Sequence, residues 1–291
     1  MSGTDTMDAS PVLNPVRHTV SGEGGVPINA WDHGGDGPVL VLCHCTGTHS
    51  RIWDPLVPEL TRHFHVYATD TRGHGDSGLP ADFDDFRWAH SGRDLLAVID
   101  ALDLGTGILA TGHSGGAAHV SYAEWFRPGV FARAVLIDAI IGPPEIFEGR
   151  VNPLEKLARH RRNDFDSRAA ARERYASKPP MNTWHPACLD AYVNHAFVDL
   201  PDGRVTLKCQ GPIEAEVYKR SGSTDVFGHL KDFTMEPFLI TADQSNVRYL
   251  PELQRAQLPH ARFHEFAGVT HFIPQERPVE VAQLMIEFLT A

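Results

Sequence analysis

The sequence ILATGHSGGAA at residues 108–118 combines a short apolar run, a glycine-rich turn around one serine and the small residues of a helix start. Gly112, Ser114 and Gly116 fit the pattern G-x-S-x-G, in which a serine is held on a sharp turn between a strand and a helix. The pattern predicts an exposed serine hydroxyl, with the free amides of the following helix beside it. Because five residues can match by chance, the neighbouring sequence has to decide whether the serine is a nucleophile.

Apolar runs and helical periodicities alternate on both sides of this stretch. Continuous apolar runs of this kind are typical of strands that are buried on both faces of a parallel sheet. Besides the run that ends at the serine turn, strands are predicted at residues 17–20, 28–32, 39–43, 65–70, 134–141, 237–243 and 262–266, and helices at 88–103 and 278–289. The alternation predicts an α/β fold, a mostly parallel central sheet flanked by helices.

The alternation stops for about ninety residues after the strand at 134–141. Residues 142–233 are therefore interpreted as an insertion into a core made of residues 1–141 and 234–291. A second glycine-rich stretch, residues 70–78, formally contains G-x-G-x-x-G. It continues as loop through Leu79 and Pro80 instead of opening a helix, so it is predicted to be a structural loop and not a nucleotide site.

Composition and charge narrow the classes of partner. The chain has 291 residues, 42% of them hydrophobic, and a formal net charge of −11, which disfavours binding to nucleic acid or to an anionic membrane. The longest apolar run, residues 134–141, is too short to span a bilayer, and residues 1–15 have the polar character of a loose tail and not of a targeting signal. We expect a cytosolic protein that acts on a small molecule; its oligomeric state is not predicted. The four cysteines are expected to be free thiols.

Four motifs in order give the chain a resemblance to the α/β-hydrolase fold superfamily, from about residue 16 to the C-terminus. They are His44 after the first parallel strand, residues 70–77 after the next, residues 112–116 at the serine turn, and residues 268–272 before the last helix. The resemblance implies that Ser114 is the nucleophile and His271 the general base of a Ser-acid-His triad. It also implies that residues 142–233 form a helical cap over the serine. No metal or organic cofactor is implied.

The acid of the triad has two candidates. Most members of the superfamily carry it a few residues beyond the strand that follows the cap, where this chain has Ser245 and Asn246, and Asp243 lies two or three residues early. Asp138 ends the preceding strand, where some haloalkane dehalogenases carry their acid. The register mismatch favours Asp138, with Asp243 as the alternative.

The resemblance places the oxyanion hole at the amides of Gly115 and Thr46. Cys45 replaces the glycine that usually follows the histidine of this loop, which leaves the path of the loop open. Cys45 itself is not expected to be a nucleophile, because no cationic residue adjoins it in sequence. The cap carries six arginines that could include a carboxylate clamp, although interleaved acids favour a salt-bridged surface; they are Arg159, Arg161, Arg162, Arg168, Arg172 and Arg174.

These residues predict a serine hydrolase that cleaves a small or medium carboxylic ester through an acyl-enzyme. Three alternatives share the fold. The first is hydrolysis of a carbon-carbon bond in a diketone-like dienoate, the second is a cofactor-independent dioxygenase in which histidine and aspartate act as base, and the third is a non-catalytic ligand receptor. Fold analogy alone does not choose among these chemistries.

Overall fold

A computed structural model gives the fold of residues 14–147, 151–221 and 225–291. Residues 1–13 of the predicted N-terminal tail lie outside these described residues, as do residues 148–150 and 222–224 of the predicted cap. The strands are β1 (Val16–Ser21), β2 (Pro27–Asp32), β3 (Val39–Cys43), β4 (His65–Thr69), β5 (Ile108–His113), β6 (Phe131–Ile137), β7 (Asp164–Phe165), β8 (Phe197–Asp199), β9 (Val205–Leu207), β10 (Glu236–Ala242) and β11 (Arg262–Phe266).

Eight of these strands form one sheet in the order β1-β2-β4-β3-β5-β6-β10-β11. The β1-β2 and β2-β4 pairs are antiparallel, and every pair from β4 to β11 is parallel. The predicted mostly parallel sheet is therefore confirmed. Because parallel strands end at the same edge, the segments after β3, β5, β6, β10 and β11 meet there.

Side chains alternate between two cores on the faces of this sheet, as the pleat requires. In β3, Leu40 and Leu42 point to one core, which also holds Met285 of the last helix. Val41 points to the other core, together with Val120 of the helix that follows the serine turn. Burial on both faces explains why these strands are apolar throughout.

The α-helices cover both faces of the sheet and build much of the insertion. They are α1 (Val57–Leu60), α2 (Trp88–Ala101), α3 (Gly115–Phe126), α4 (Pro144–Phe147), α5 (Pro153–Arg159), α6 (Arg168–Ala176), α7 (Pro186–His195), α8 (Gly211–Arg220), α9 (Leu250–Gln257), α10 (Ile273–Glu276) and α11 (Pro278–Leu289). Among the described residues, no helix has the length and apolar character needed to cross a bilayer.

Two sequence predictions need adjustment. The insertion contains α4 to α8, but it also contains a small antiparallel sheet in the order β7-β9-β8, so it is not purely helical. Strands of two or three residues carry too little periodicity to be recognised from sequence. The strand predicted at 134–141 ends at Ile137, because Asp138 adopts a φ of 42° and turns the chain out of the sheet. The division into core and cap stays a prediction.

Candidate active site

Ser114 lies on a strained turn between β5 and α3. Its φ of 58° and ψ of −118° are rare for a residue with a side chain. The Ser114 amide donates to the carbonyl of Ile137, and the Ser114 carbonyl accepts from the amide of Ile140, so the turn is tied to the segment after β6. Strain of this kind is typical of nucleophile turns.

The two glycines of the motif are required by close backbone contacts. A Cβ atom at position 112 would lie 2.4 Å from the carbonyl oxygen of Gly116, and one at position 116 would lie 2.4 Å from the carbonyl oxygen of Cys43. Only glycine fits at either position, which explains the spacing of the motif. Ser114 is only 7% exposed as a whole residue, so at most a small part of it reaches solvent.

His271 and Asp138 form a close pair at the same edge of the sheet. The Nδ1 atom of His271 lies 2.5 Å from Oδ2 of Asp138, and the two side chains are 17% and 1% exposed. The backbone of Asp138 is held by its amide, which donates to the carbonyl of Ile240 in β10. A carboxylate in this position fixes the tautomer of an imidazole and leaves its Nε2 atom free to accept a proton.

The alternative acid, Asp243, is placed elsewhere. Its Oδ1 atom accepts a hydrogen bond of 2.8 Å from the amide of Gly268, and its own amide donates to the carbonyl of Phe266. Asp243 therefore caps the loop that leads from β11 to His271 and makes no hydrogen bond to the imidazole among the described residues.

His113 connects the serine turn to His271. Its Nε2 atom donates to the carbonyl of His271 at 2.9 Å, and the two rings lie 5.0 Å apart. Burial, assisted by the nearby His271, holds the pKa of His113 well below its usual value, so this ring stays neutral. Within the described residues Ser114 Oγ makes no hydrogen bond to His271, a bond that often forms only once substrate is bound.

The two predicted oxyanion residues are neighbours. A Cβ atom at position 115 would lie 3.0 Å from Oγ1 of Thr46. Gly115 begins α3, so its amide has no acceptor within the helix. The described hydrogen bonds give the Thr46 amide no acceptor either. Two unpaired amides beside a serine are the donors that stabilise a developing oxyanion.

Two buried histidines fix the loop that carries Thr46. The amide of Thr71 donates to Nε2 of His44 at 3.0 Å, and Nδ1 of His44 donates to the carbonyl of Cys45 at 2.8 Å. On the other side of Thr46, the amide of Gly47 donates to Nε2 of His74 at 3.0 Å. Burial lowers the pKa of both histidines, that of His44 to about 4, so both stay neutral and can accept these amides.

Cys45 fits this loop without disturbing it. The thiol is buried, and its Sγ atom lies 3.5 Å from Oγ1 of Thr48. Burial raises the pKa of the Cys45 thiol to about 12, so the thiolate needed for nucleophilic attack does not form at neutral pH. The prediction that Cys45 is not a second nucleophile agrees with this environment. All four cysteines are free.

Comparison with known proteins identifies the family. A profile described as the alpha/beta hydrolase family matches residues 40–284, which is most of the chain. The chain belongs to the alpha/beta hydrolase family. The crystal structure of E-2-(acetamidomethylene)succinate hydrolase superposes with a TM-score of 0.82 at 18% identity, and the match covers 95% of the present chain and 100% of that chain. At that identity the similarity establishes the fold alone.

The sequence relatives do not establish the activity of this protein. Over 107 residues it is 36% identical to uncharacterized proteins of Mycobacterium tuberculosis and Mycobacterium bovis, and it spans only 30% of their length. It is 26% identical over 270 residues to 1H-3-hydroxy-4-oxoquinoline 2,4-dioxygenase of Pseudomonas putida, covering 87% of this chain and 92% of that protein. The family is therefore established, and the reaction is not.

Sequence reasoning missed a polar cluster that joins the insertion to the loop that carries Thr46. Arg161 forms an ion pair with Glu214 and donates to the hydroxyl of Tyr192 at 2.9 Å. That hydroxyl donates to the carbonyl of Gly47 at 3.4 Å, and a Cβ atom at position 47 would lie 2.4 Å from Oε1 of Glu214. Arg161 is thus neutralised by Glu214 and does not stand free as a carboxylate clamp.

The other arginines of the predicted cluster mostly follow the salt-bridged interpretation. Arg159, Arg168 and Arg172 pair with acidic side chains. Among the described residues, no group of three or more His, Cys, Asp or Glu side chains could hold a metal ion. The expectation that no cofactor takes part stays a prediction.

Proposed function

We propose that this protein cleaves a small or medium carboxylic ester through an acyl-enzyme on Ser114. The observation that supports this proposal most directly is the hydrogen bond between His271 and the buried Asp138, at the sheet edge where Ser114 occupies a strained turn. A serine hydroxyl is a weak nucleophile, and it needs a neighbouring imidazole of fixed tautomer to remove its proton.

The proposed reaction has two halves, formation of the acyl-enzyme and its hydrolysis, and the same catalytic groups act in both. His271 accepts the Ser114 proton through Nε2 as Oγ attacks the ester carbonyl, and the amides of Thr46 and Gly115 stabilise the oxyanion. The imidazolium then protonates the departing alcohol. Water repeats the sequence on the acyl-enzyme and releases the acid. The Asp138 carboxylate accepts from Nδ1–H of His271 and stabilises the imidazolium.

Turnover of p-nitrophenyl esters of increasing acyl length tests this proposal. We expect Ser114→Ala to lower kcat by about 10³-fold or more, because the members of a triad act as a unit. Ser121→Ala is a suitable control, since Ser121 lies on α3, the helix that follows Ser114, and among the described residues its hydroxyl donates to the carbonyl of Ala117 alone. If the Ser114 variant retained activity within about tenfold of the parent, the acyl-enzyme route would be wrong.

A cofactor-independent dioxygenase is the second candidate, because the relative aligned over 270 residues is named a 2,4-dioxygenase. In such a reaction His271 and Asp138 would remove a proton from the substrate, and Ser114 would not be a nucleophile. Oxygen uptake with 1H-3-hydroxy-4-oxoquinoline separates the two candidates. Uptake that survives Ser114→Ala and is lost in His271→Ala would favour the dioxygenase, whereas ester turnover with the opposite response to Ser114→Ala favours the hydrolase.

A further inference from the structure

Ser245 contacts the proposed triad acid from the turn after β10. Its side chain is 1% exposed, and its Oγ atom lies 2.5 Å from Oδ2 of Asp138. The amide of Val247 donates to the same Oγ atom at 3.1 Å. Because the hydroxyl accepts from Val247, its own proton is directed toward the carboxylate.

Asp138 is held through one oxygen only. Oδ2 receives both the Ser245 hydroxyl and Nδ1 of His271, each at 2.5 Å. Oδ1 is buried and has no hydrogen-bond partner among the described residues. Among the described residues, the Asp138 carboxylate therefore has two side-chain partners, the imidazole of His271 and the hydroxyl of Ser245. Without Ser245, the rotation of the carboxylate would be fixed by His271 alone.

We propose that Ser245 is a positioning residue that orients the Asp138 carboxylate beside His271 during turnover. A hydroxyl that donates to a carboxylate stabilises its charged form. This inference rests on the proposed triad, and it adds a residue whose side chain has no hydrogen bond to Ser114 among the described residues.

Ser245→Ala tests the inference, with Thr241→Val as a matched control. Thr241 lies in β10 and its buried hydroxyl makes no hydrogen bond among the described residues, so valine replaces it with the same shape. We expect Ser245→Ala to lower kcat for an ester by roughly 10- to 100-fold with little change in KM, as loss of a hydrogen bond to a charged group predicts. Thr241→Val should stay within about twofold of the parent.

The pH profile separates positioning from packing. Loss of the hydroxyl leaves more negative charge facing His271, which favours the imidazolium, so the acid limb of kcat/KM should move to higher pH. The neighbouring titratable group, His113, is kept neutral by burial and does not produce this limb. Ser245→Thr, which keeps the hydroxyl, should restore the parent profile. A proton NMR signal of the imidazole Nδ1–H, identified by its loss in Asp138→Asn, should also shift in Ser245→Ala.

The outcomes distinguish this inference from the proposed function. If Asp138→Asn is inactive while Ser245→Ala keeps the parent kcat, pH profile and Nδ1–H signal, the role of Ser245 is wrong and the triad stands. If Asp138→Asn retains full activity, the proposed triad itself fails. Thermal melting of each variant shows whether a loss of kcat reflects unfolding; a well-folded Ser245→Ala with an unshifted acid limb would overturn the inference.

Discussion

Replacing Asp138 with asparagine tests which carboxylate serves His271. An asparagine has two orientations at this position. With its oxygen in the place of Oδ2, it still accepts from Ser245 and His271, but its amide nitrogen then occupies the place of Oδ1, which has no partner among the described residues. Burying an amide nitrogen without an acceptor costs about 1 to 3 kcal/mol. That cost disfavours the orientation that would preserve the imidazole tautomer.

The opposite orientation places the amide nitrogen toward His271. It can donate there only if Nδ1 carries no proton, so the imidazole proton must sit on Nε2. His271 then cannot accept the proton of Ser114. The same change in a comparable triad lowers kcat by about 10⁴-fold, or about 5.5 kcal/mol in the barrier, and we expect a loss of this order for Asp138→Asn.

Measurement of kcat on one p-nitrophenyl ester, with circular dichroism to confirm folding, decides between the two acids. Asp243→Asn is the matched variant, because its amide oxygen can still accept from Gly268 and should leave kcat within about threefold of the parent. A strongly impaired Asp243→Asn beside a normal Asp138→Asn would refute the reasoning and assign the acid to Asp243.

Two further predictions concern buried histidines and the oxyanion loop. Burial lowers the pKa of His33 and His44 to about 4 and that of His49 to about 3, whereas the unfolded chain protonates them near 6.5. Each of these histidines should therefore lower the free energy of unfolding by about 1.4 kcal/mol per pH unit as pH drops from 6.5 toward 4. Urea unfolding midpoints that stay constant between pH 7 and 5 would contradict this prediction. Tyr192→Phe removes the hydroxyl that donates to the Gly47 carbonyl, so kcat should fall about 2- to 12-fold with KM nearly unchanged. An unchanged kcat would show that this contact does not support the loop.

The architecture could be predicted from the sequence because strands and the serine turn each leave a pattern in a short stretch of residues. The apolar run at residues 39–43 predicted β3 with the observed bounds, β11 was also predicted with its observed bounds, and the glycine spacing around Ser114 predicted the turn. The end of β6 was less visible, because the apolar run continues through Ile141 while the strand stops before Asp138. A backbone turn at a residue with positive φ leaves no signature in hydropathy alone.

The polar contacts of the site depend on residues far apart in sequence, which explains why sequence reasoning missed them. Arg161 is assigned to a charged cluster by its neighbours, but its buried partner is Glu214, fifty-three positions away. Ser245 and Asp138 are separated by 107 positions. No spacing rule relates such pairs, and their contact follows from the order of strands in the sheet.

The strand order also explains how Asp138, the residue that follows β6, can contact His271. Ile137 at the end of β6 pairs with His113 of β5 on one side and with Ile240 of β10 on the other. The turn after β6 therefore lies between the Ser114 turn, which follows β5, and the turn after β10. Side chains from these neighbouring turns can meet beside the turn after β6. Asp138 enters this space from β6, and Ser245 enters it from β10 and donates to the same carboxylate oxygen that accepts from the imidazole. A neutral serine is sufficient in the turn after β10, because Asp138 after β6 already supplies the carboxylate that accepts from the imidazole.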